Sequence, residues 1–183
     1  MTSEVARGAD PGVGDAPGVR FKGRRVVLDP HHCFACGELN EHGLQLVLHT
    51  DEGRCWTELS LDRRFQGWDG IAHGGIVATI LDEVMAWALI DRDAWGVTAR
   101  MDIAFRGPVR LDTPIRGEGW VLEARRRLLT TEGRIVDIET GAVLATAAAT
   151  YVAAAAEQRE VLRARYRFRV VDVAADHDSD RGT

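Results

Sequence analysis

The sequence predicts an α+β domain, an antiparallel sheet wrapped around one long central helix. Three observations carry this. In the stretch 71–90 the apolar residues fall at Ile76, Val77, Ile80, Leu81, Val84, Met85, Ala88 and Leu89, a spacing of three to four that paints one face of a helix. Segments with the two-residue alternation of strands lie before it and after it. The links between the later strands are short, so those strands form an antiparallel meander, and a lone helix with an apolar face must be covered by that sheet.

The elements follow in order. Residues 1 to about 25 hold Pro11, Pro17 and many glycines with little apolar clustering, and are expected to be a flexible lead-in. Gln45–His49 and Arg54–Leu61 read as a hairpin around Asp51-Glu52-Gly53. A polar and aromatic loop from Arg63 to Gly70 leads into His73-Gly74-Gly75 and the helix. Val97 to Phe105 alternates Val97, Ala99, Met101, Ile103 and Phe105 against Thr98, Arg100, Asp102 and Ala104, and Pro108 ends it. Pro114–Arg126, Leu128–Glu139 and Ala142–Ala153 supply three more strands. The domain is expected over 26–156. Residues 157–183 form a tail. Ala153 to Arg169 reads as a short helix; its stretch Glu157–Arg169, with five arginines against two glutamates, reads as a solvated surface element or a partner contact, and the end from Asp176 reads as disordered.

Composition narrows the function. The 183 residues are 45% hydrophobic and 28% charged with a formal net charge of -5, which fits one ordinary domain and gives no reason to expect nucleic-acid binding. No apolar run reaches the length of a membrane span, and no signal peptide opens the chain, so the expected location is cytoplasmic. Cys33, Cys36 and Cys55 are too few for a disulfide framework. Cys33-x-x-Cys36 beside His31 and His32 invites a zinc reading, yet a structural zinc site wants four ligands and no second pair exists. The reading adopted is a turn packed by Phe34 and the thiols, with no metal and no cofactor. A redox role is set aside because no βαβ pattern follows.

The chemistry concentrates at the helix. At roughly 100° per residue Asp82 falls at the edge of the apolar face beside Ala78, Met85 and Leu89, while Glu83 falls beside Thr79 on the far flank and is read as solvated. The first-turn N–H groups after Gly74-Gly75 have no partner within the helix and suit a negative oxygen. A carboxylate two turns downstream of such a start points to acyl transfer.

From about Cys33 to Val152 the chain resembles the hotdog-fold acyl-CoA thioesterases, in particular the phenylacetate-pathway (PaaI-type) and mammalian thioesterase-superfamily branch. The resemblance rests on His73-Gly74-Gly75 followed by Asp82 nine positions after the histidine, and on the strand order. Cys33-Phe34-Ala35-Cys36-Gly37 with Asn40 and Gly43-Leu44, and Phe105-Arg106-Gly107-Pro108-Val109, add to it. It implies that Asp82 attacks the thioester carbonyl or deprotonates a water, and that the Gly74 N–H meets the thioester oxygen. Thr98 matches a hydroxyl that in some members comes from the second subunit. His73, with Gly75, shapes the substrate loop by hydrogen bonds. Relatives carry Asn or Gln six positions before the histidine; here Gly67 stands there, so Gln66 is the substitute.

Arg106, Arg110, Arg63-Arg64 and Arg125-Arg126-Arg127 suit the phosphates of coenzyme A. The implied partners are an acyl-CoA substrate and further copies of the chain, as a homodimer or dimer of dimers. The competing reading is a non-catalytic acyl-CoA-binding protein. A hydratase lacks a second acid/base group near Asp82, and a DNA-binding regulator lacks a helical module. Trp56, Phe65, Trp68 and Trp87 are the aromatic residues considered for the acyl pocket, and the acyl group itself is not fixed.

Overall fold

A computed structural model describes residues 24–92, 94–125, 127–167 and 169–172. Eight strands form one antiparallel sheet around the helix α1 (Gly74–Ala88). In chain order these are β1 (Arg24–Val27), β2 (His49–Asp51), β3 (Arg54–Ser60), then, after α1, β4 (Gly96–Phe105), β5 (Pro114–Arg125), β6 (Leu128–Asp137) and β7 (Val143–Ala153), and last β8 (Arg169–Asp172). The spatial order is β4-β7-β6-β5-β3-β2-β1-β8. This is the helix-wrapping sheet expected from the sequence, the hotdog fold.

Helix α1 buries Val77, Ile80, Leu81, Val84, Met85 and Ala88, the stripe that its periodicity foretold. The stripe lies on β3, β5 and β6, where it meets Cys55, Ile115, Leu129 and Ile135 in one core. Close approach needs a gap in the side chains of the sheet. A Cβ at Gly119 of β5 would stand 2.6 Å from the carbonyl of Val84 and 2.7 Å from the Met85 nitrogen, so glycine there seats the helix backbone directly on the strand.

The edges of the domain differ from the sequence reading. Strand β2 starts at His49 rather than Gln45, although Leu46 and Leu48 are buried. At the far end, the stretch read as a tail contributes α2 (Ala156–Tyr166) and β8, and β8 pairs with β1 from Arg24↔Asp172 to Val27↔Arg169. Short alternating Val-rich segments of four residues carry too little pattern to be seen without the partner strand. The lead-in up to residue 23 and the end from 173 lie outside the described residues.

Candidate active site

The loop before α1 is tied into a tight double turn. Gly67 N–H donates to the Ile71 carbonyl and His73 N–H to the Phe65 carbonyl, each at 2.8 Å, and Ala72 N–H reaches Val109 at 2.9 Å. His73 then caps the helix, its Nδ1 accepting the Gly75 N–H at 2.9 Å. Because Gly75 is thereby occupied, the Gly74 N–H is the first-turn donor without a hydrogen bond among the described residues, and it is solvent-exposed. Phe105, at the end of β4, lies beside it: its ring is 3.4 Å from where a Gly74 Cβ would be. Arg106 follows with an exposed side chain.

Two turns on, Asp82 is half-buried and held by two hydroxyls. Thr98 Oγ1 donates to Oδ1 at 2.8 Å. Tyr151, fully buried on β7, reaches the Asp82 carbonyl at 3.3 Å and Oδ1 at 3.5 Å. Burial, followed by the charge of Asp82, pushes the phenol above its ordinary range, so Tyr151 stays a donor at neutral pH. Oδ2 of Asp82 has no protein donor among the described residues. Tyr151 was missed in the sequence, where it looks like any core aromatic at the end of a strand.

Thr98 reaches Asp82 through an irregularity that the sequence pattern hid. The β4–β7 register slips between Thr98 and Arg100, so Val97 and Ala99, which the alternation groups with the partly buried Met101 and Ile103, are exposed, Val97 at 70%, and Thr98 is partly buried against Asp82. A bulge that re-aims a side chain is a familiar device beside active sites. The contact is also made within one chain, whereas the resemblance allowed for a hydroxyl from a second subunit.

Gln66 stands next to the helix start, bridged to Ala72, but its Oε1 accepts the Gly70 N–H at 3.2 Å and so braces its own loop. Of the arginines, Arg64 is committed to Asp62 through Nε and Nη2, and Arg125 pairs with Glu123. The four aromatics do not share a pocket. Trp56 stacks on His49 with Arg116 over it, Phe65 is core, Trp68 is 83% exposed, and Trp87 meets Trp95 edge to face.

Two readings of the N-terminal half are corrected. Glu83 is not solvated: it accepts Trp87 Nε1–H at 2.8 Å and hydrogen-bonds Cys36, and burial pushes its carboxyl up to about 7. The cysteine turn is not packed by Phe34, which is 42% exposed; its thiols face His31 and Glu83 instead. The helical wheel put Glu83 on a flank, and it had no means of showing that a loop some fifty residues earlier covers that flank.

The hotdog fold thus sets a carboxylate on the central helix against hydroxyls of the wrapping sheet, two turns from the unpartnered Gly74 N–H. Residues 69–144, from the loop before α1 into β7, match the family model of the thioesterase superfamily. Acyl-coenzyme A thioesterase 13 of Homo sapiens is 28% identical over 95 residues, 51% of this chain and 68% of that protein. A crystal structure of a thioesterase superfamily protein superposes with a TM-score of 0.63 at 27% identity, covering 66% of this chain; the chain spans 60% of that protein's length. A hypothetical thioesterase from Streptococcus pneumoniae TIGR4, solved with coenzyme A, superposes at 0.53 with 22% identity, covering 56% of this chain and 82% of its own. Among the described residues no helix is long and apolar enough to cross a membrane.

Proposed function

We propose that the protein hydrolyses an acyl-CoA thioester to the free acid and coenzyme A, in a site shared between two copies of the chain. The observation that carries this is the Asp82 carboxylate, fixed at Oδ1 by Thr98 and open at Oδ2. Such a group either deprotonates a water aimed at the thioester carbonyl or attacks the carbonyl itself. Thiolate leaves readily, so one carboxylate without a general-acid partner is sufficient. The relatedness to acyl-coenzyme A thioesterase 13 supports the substrate class, and the coenzyme A bound by the pneumococcal protein supports the cleft.

Geometry argues for two copies. Asp82 lies eight residues after Gly74, and at 1.5 Å per residue the two stand roughly 12 Å apart along α1, too far to hold one carbonyl between them. Strand β4 ends one side of the sheet, with Val97 and Phe105 exposed at its two ends. Its start lies at Thr98 and Asp82, and its end at Phe105 and Gly74. Antiparallel pairing of β4 with its own copy sets the start of one beside the end of the other. The Gly74 N–H of one copy then faces Asp82 and Thr98 of the other, where a donor to the developing oxyanion is worth several kcal/mol. Arg106, beside Phe105, is placed to meet a phosphate of the coenzyme.

A second reading, a non-catalytic acyl-CoA binder, is favoured by one observation: the Gln66 amide oxygen is engaged by Gly70 and not held out to a substrate. Thiol release from a panel of aryl, short and long acyl-CoA esters separates the two. Hydrolysis that Asp82→Asn abolishes, with dimer and melting temperature intact, supports the enzyme; tight binding without turnover supports the binder; turnover unchanged in Asp82→Asn removes the mechanism.

A further inference from the structure

Away from Asp82, on the other flank of α1, the loop 31–37 gathers His31, Cys33 and Cys36, whose Nε2 and Sγ atoms all lie within 4.8 Å of one another. Three features make this more than proximity. The His31 ring is oriented: its Nδ1 bonds the Asp29 carbonyl at 3.0 Å, which places the hydrogen on Nδ1 and turns the Nε2 lone pair toward the sulfurs. A backbone carbonyl behind the histidine is the usual outer support of a metal-binding imidazole. Nε2 stands 3.4 Å from Cys36 Sγ. A tetrahedral zinc with bonds of 2.0–2.1 Å to nitrogen and 2.3 Å to sulfur sets its ligands about 3.6 Å apart.

The loop itself has the shape of a metal knuckle. Backbone N–H groups of Ala35 and Cys36 point at the Cys33 sulfur, and the Gly37 N–H closes the turn on the Cys33 carbonyl at 3.0 Å. Gly37 is required there, since a Cβ would stand 2.4 Å from the Cys33 nitrogen and 2.6 Å from the His31 carbonyl. Beneath the loop lies the Glu83 carboxyl, bonded to Cys36 and anchored by Trp87 Nε1–H at 2.8 Å. Three donors of types that zinc prefers thus gather in the loop, and the Glu83 carboxyl lies against one of them, Cys36, from the helix. His31 and Cys36 also border a surface groove, which gives an ion an entry path.

We propose that His31 Nε2, Cys33 Sγ, Cys36 Sγ and a Glu83 carboxylate oxygen bind one zinc ion. Coordination replaces the proton that Cys36 shares with Cys33 and any proton on Glu83, both going to solvent; no electron is transferred. The ion pins the loop to the helix that carries Asp82, so its role is to hold the helix and the N-terminal segment in one unit. Nothing in this depends on thioester hydrolysis.

The test uses the full chain, expressed with added zinc and dialysed into metal-free buffer, with metal counted by plasma mass spectrometry. About one zinc per chain is expected. Exchange into cobalt(II) should give the intense visible bands of a tetrahedral site and near-ultraviolet thiolate charge transfer. Both are lost in Cys36→Ser and kept in Cys55→Ala. Glu83→Gln should keep the charge transfer, shift the visible bands and weaken zinc binding at least tenfold. Less than a tenth of a zinc per chain with no cobalt charge transfer overturns the proposal, whatever the variants do. A Cys33–Cys36 disulfide in the protein as isolated, seen as a loss of two mass units that reductant restores, overturns it in favour of a redox pair.

Discussion

Asp82 and Glu83 are neighbours in sequence, carry the same functional group, and sit on one helix, yet they inhabit opposite surroundings. Asp82 faces β4 at one edge of the sheet, accepts from Thr98 and Tyr151 at Oδ1, and has no donor at Oδ2 among the described residues. Glu83, about 100° around the helix, is roofed by the cysteine loop and held by Trp87, with its carboxyl pushed up to about 7 by burial. The contrast teaches that the neighbours assign the role of each carboxylate. One flank of α1 is supplied with hydroxyls at the sheet edge, and the other with sulfur and imidazole.

Exchanging the two roles is the strongest way to break this contrast. Asp82→Asn should lower kcat for acyl-CoA hydrolysis by about 10²–10⁴-fold with an unchanged melting curve, whereas Glu83→Gln should leave kcat within a few-fold and change zinc content instead. Equal losses of kcat in the two variants would erase the distinction. Lifting the helix should disturb both flanks at once: Gly119→Ala puts a methyl into the Val84–Met85 backbone and is expected to cost about 1–3 kcal/mol in denaturant unfolding.

The next effect is a pH dependence in chelator-treated protein. The folded value of Glu83, about 7, lies above the unfolded 4.5, so its contribution is complete below pH 4.5 and lost as pH rises to 7. Cys33 runs the other way. The hydrogen bond from Cys36 lowers its thiol from 9.0 to about 5, so its contribution is present above pH 9 and lost as pH falls toward 5. Between pH 5 and 7 the two offset each other. Across that window Glu83→Gln should therefore gain about 1–2 kcal/mol relative to metal-free wild type, after allowing for the partial exposure of Cys33; His49, whose value burial lowers, titrates in both proteins and cancels in the difference. Urea unfolding at pH 5, 6 and 7 measures it.

The last test is the hydroxyl at the bulge. Thr98→Ala removes the donor to a charged oxygen, a loss of about 1.5–3 kcal/mol that should appear as a ten- to hundredfold fall in kcat/KM. Thr98→Ser should recover most of it. An Ala variant as active as wild type would show that the bulge orients nothing.

Most of the frame could be read directly from residue order. The stripe from Val77 to Ala88 and the strands β3 to β7 follow from periods of 3.6 and 2, which depend on each residue and its near neighbours alone. His73-Gly74-Gly75 with Asp82 nine positions beyond the histidine marked the helix that matters, and His73 does cap it. The alternation of β4 misled at Val97 and Ala99, because a bulge shifts the period without any local sign. Tyr151 carried no signal at all.

What residue order determined, then, was every feature whose cause is local: the helix, the meander, and the nature of the groups at the helix start. What only tertiary structure decided was every feature that joins distant parts of the chain. Those are the turn of Thr98 onto Asp82, the phenol of Tyr151 beneath it, the β1–β8 pair, and the meeting of His31, Cys33 and Cys36 with Glu83. The physical reason is the same in each case. A side chain's hydrogen bonds and its desolvation are set by what packs against it, and those partners stand from 16 to well over 60 residues away along the chain.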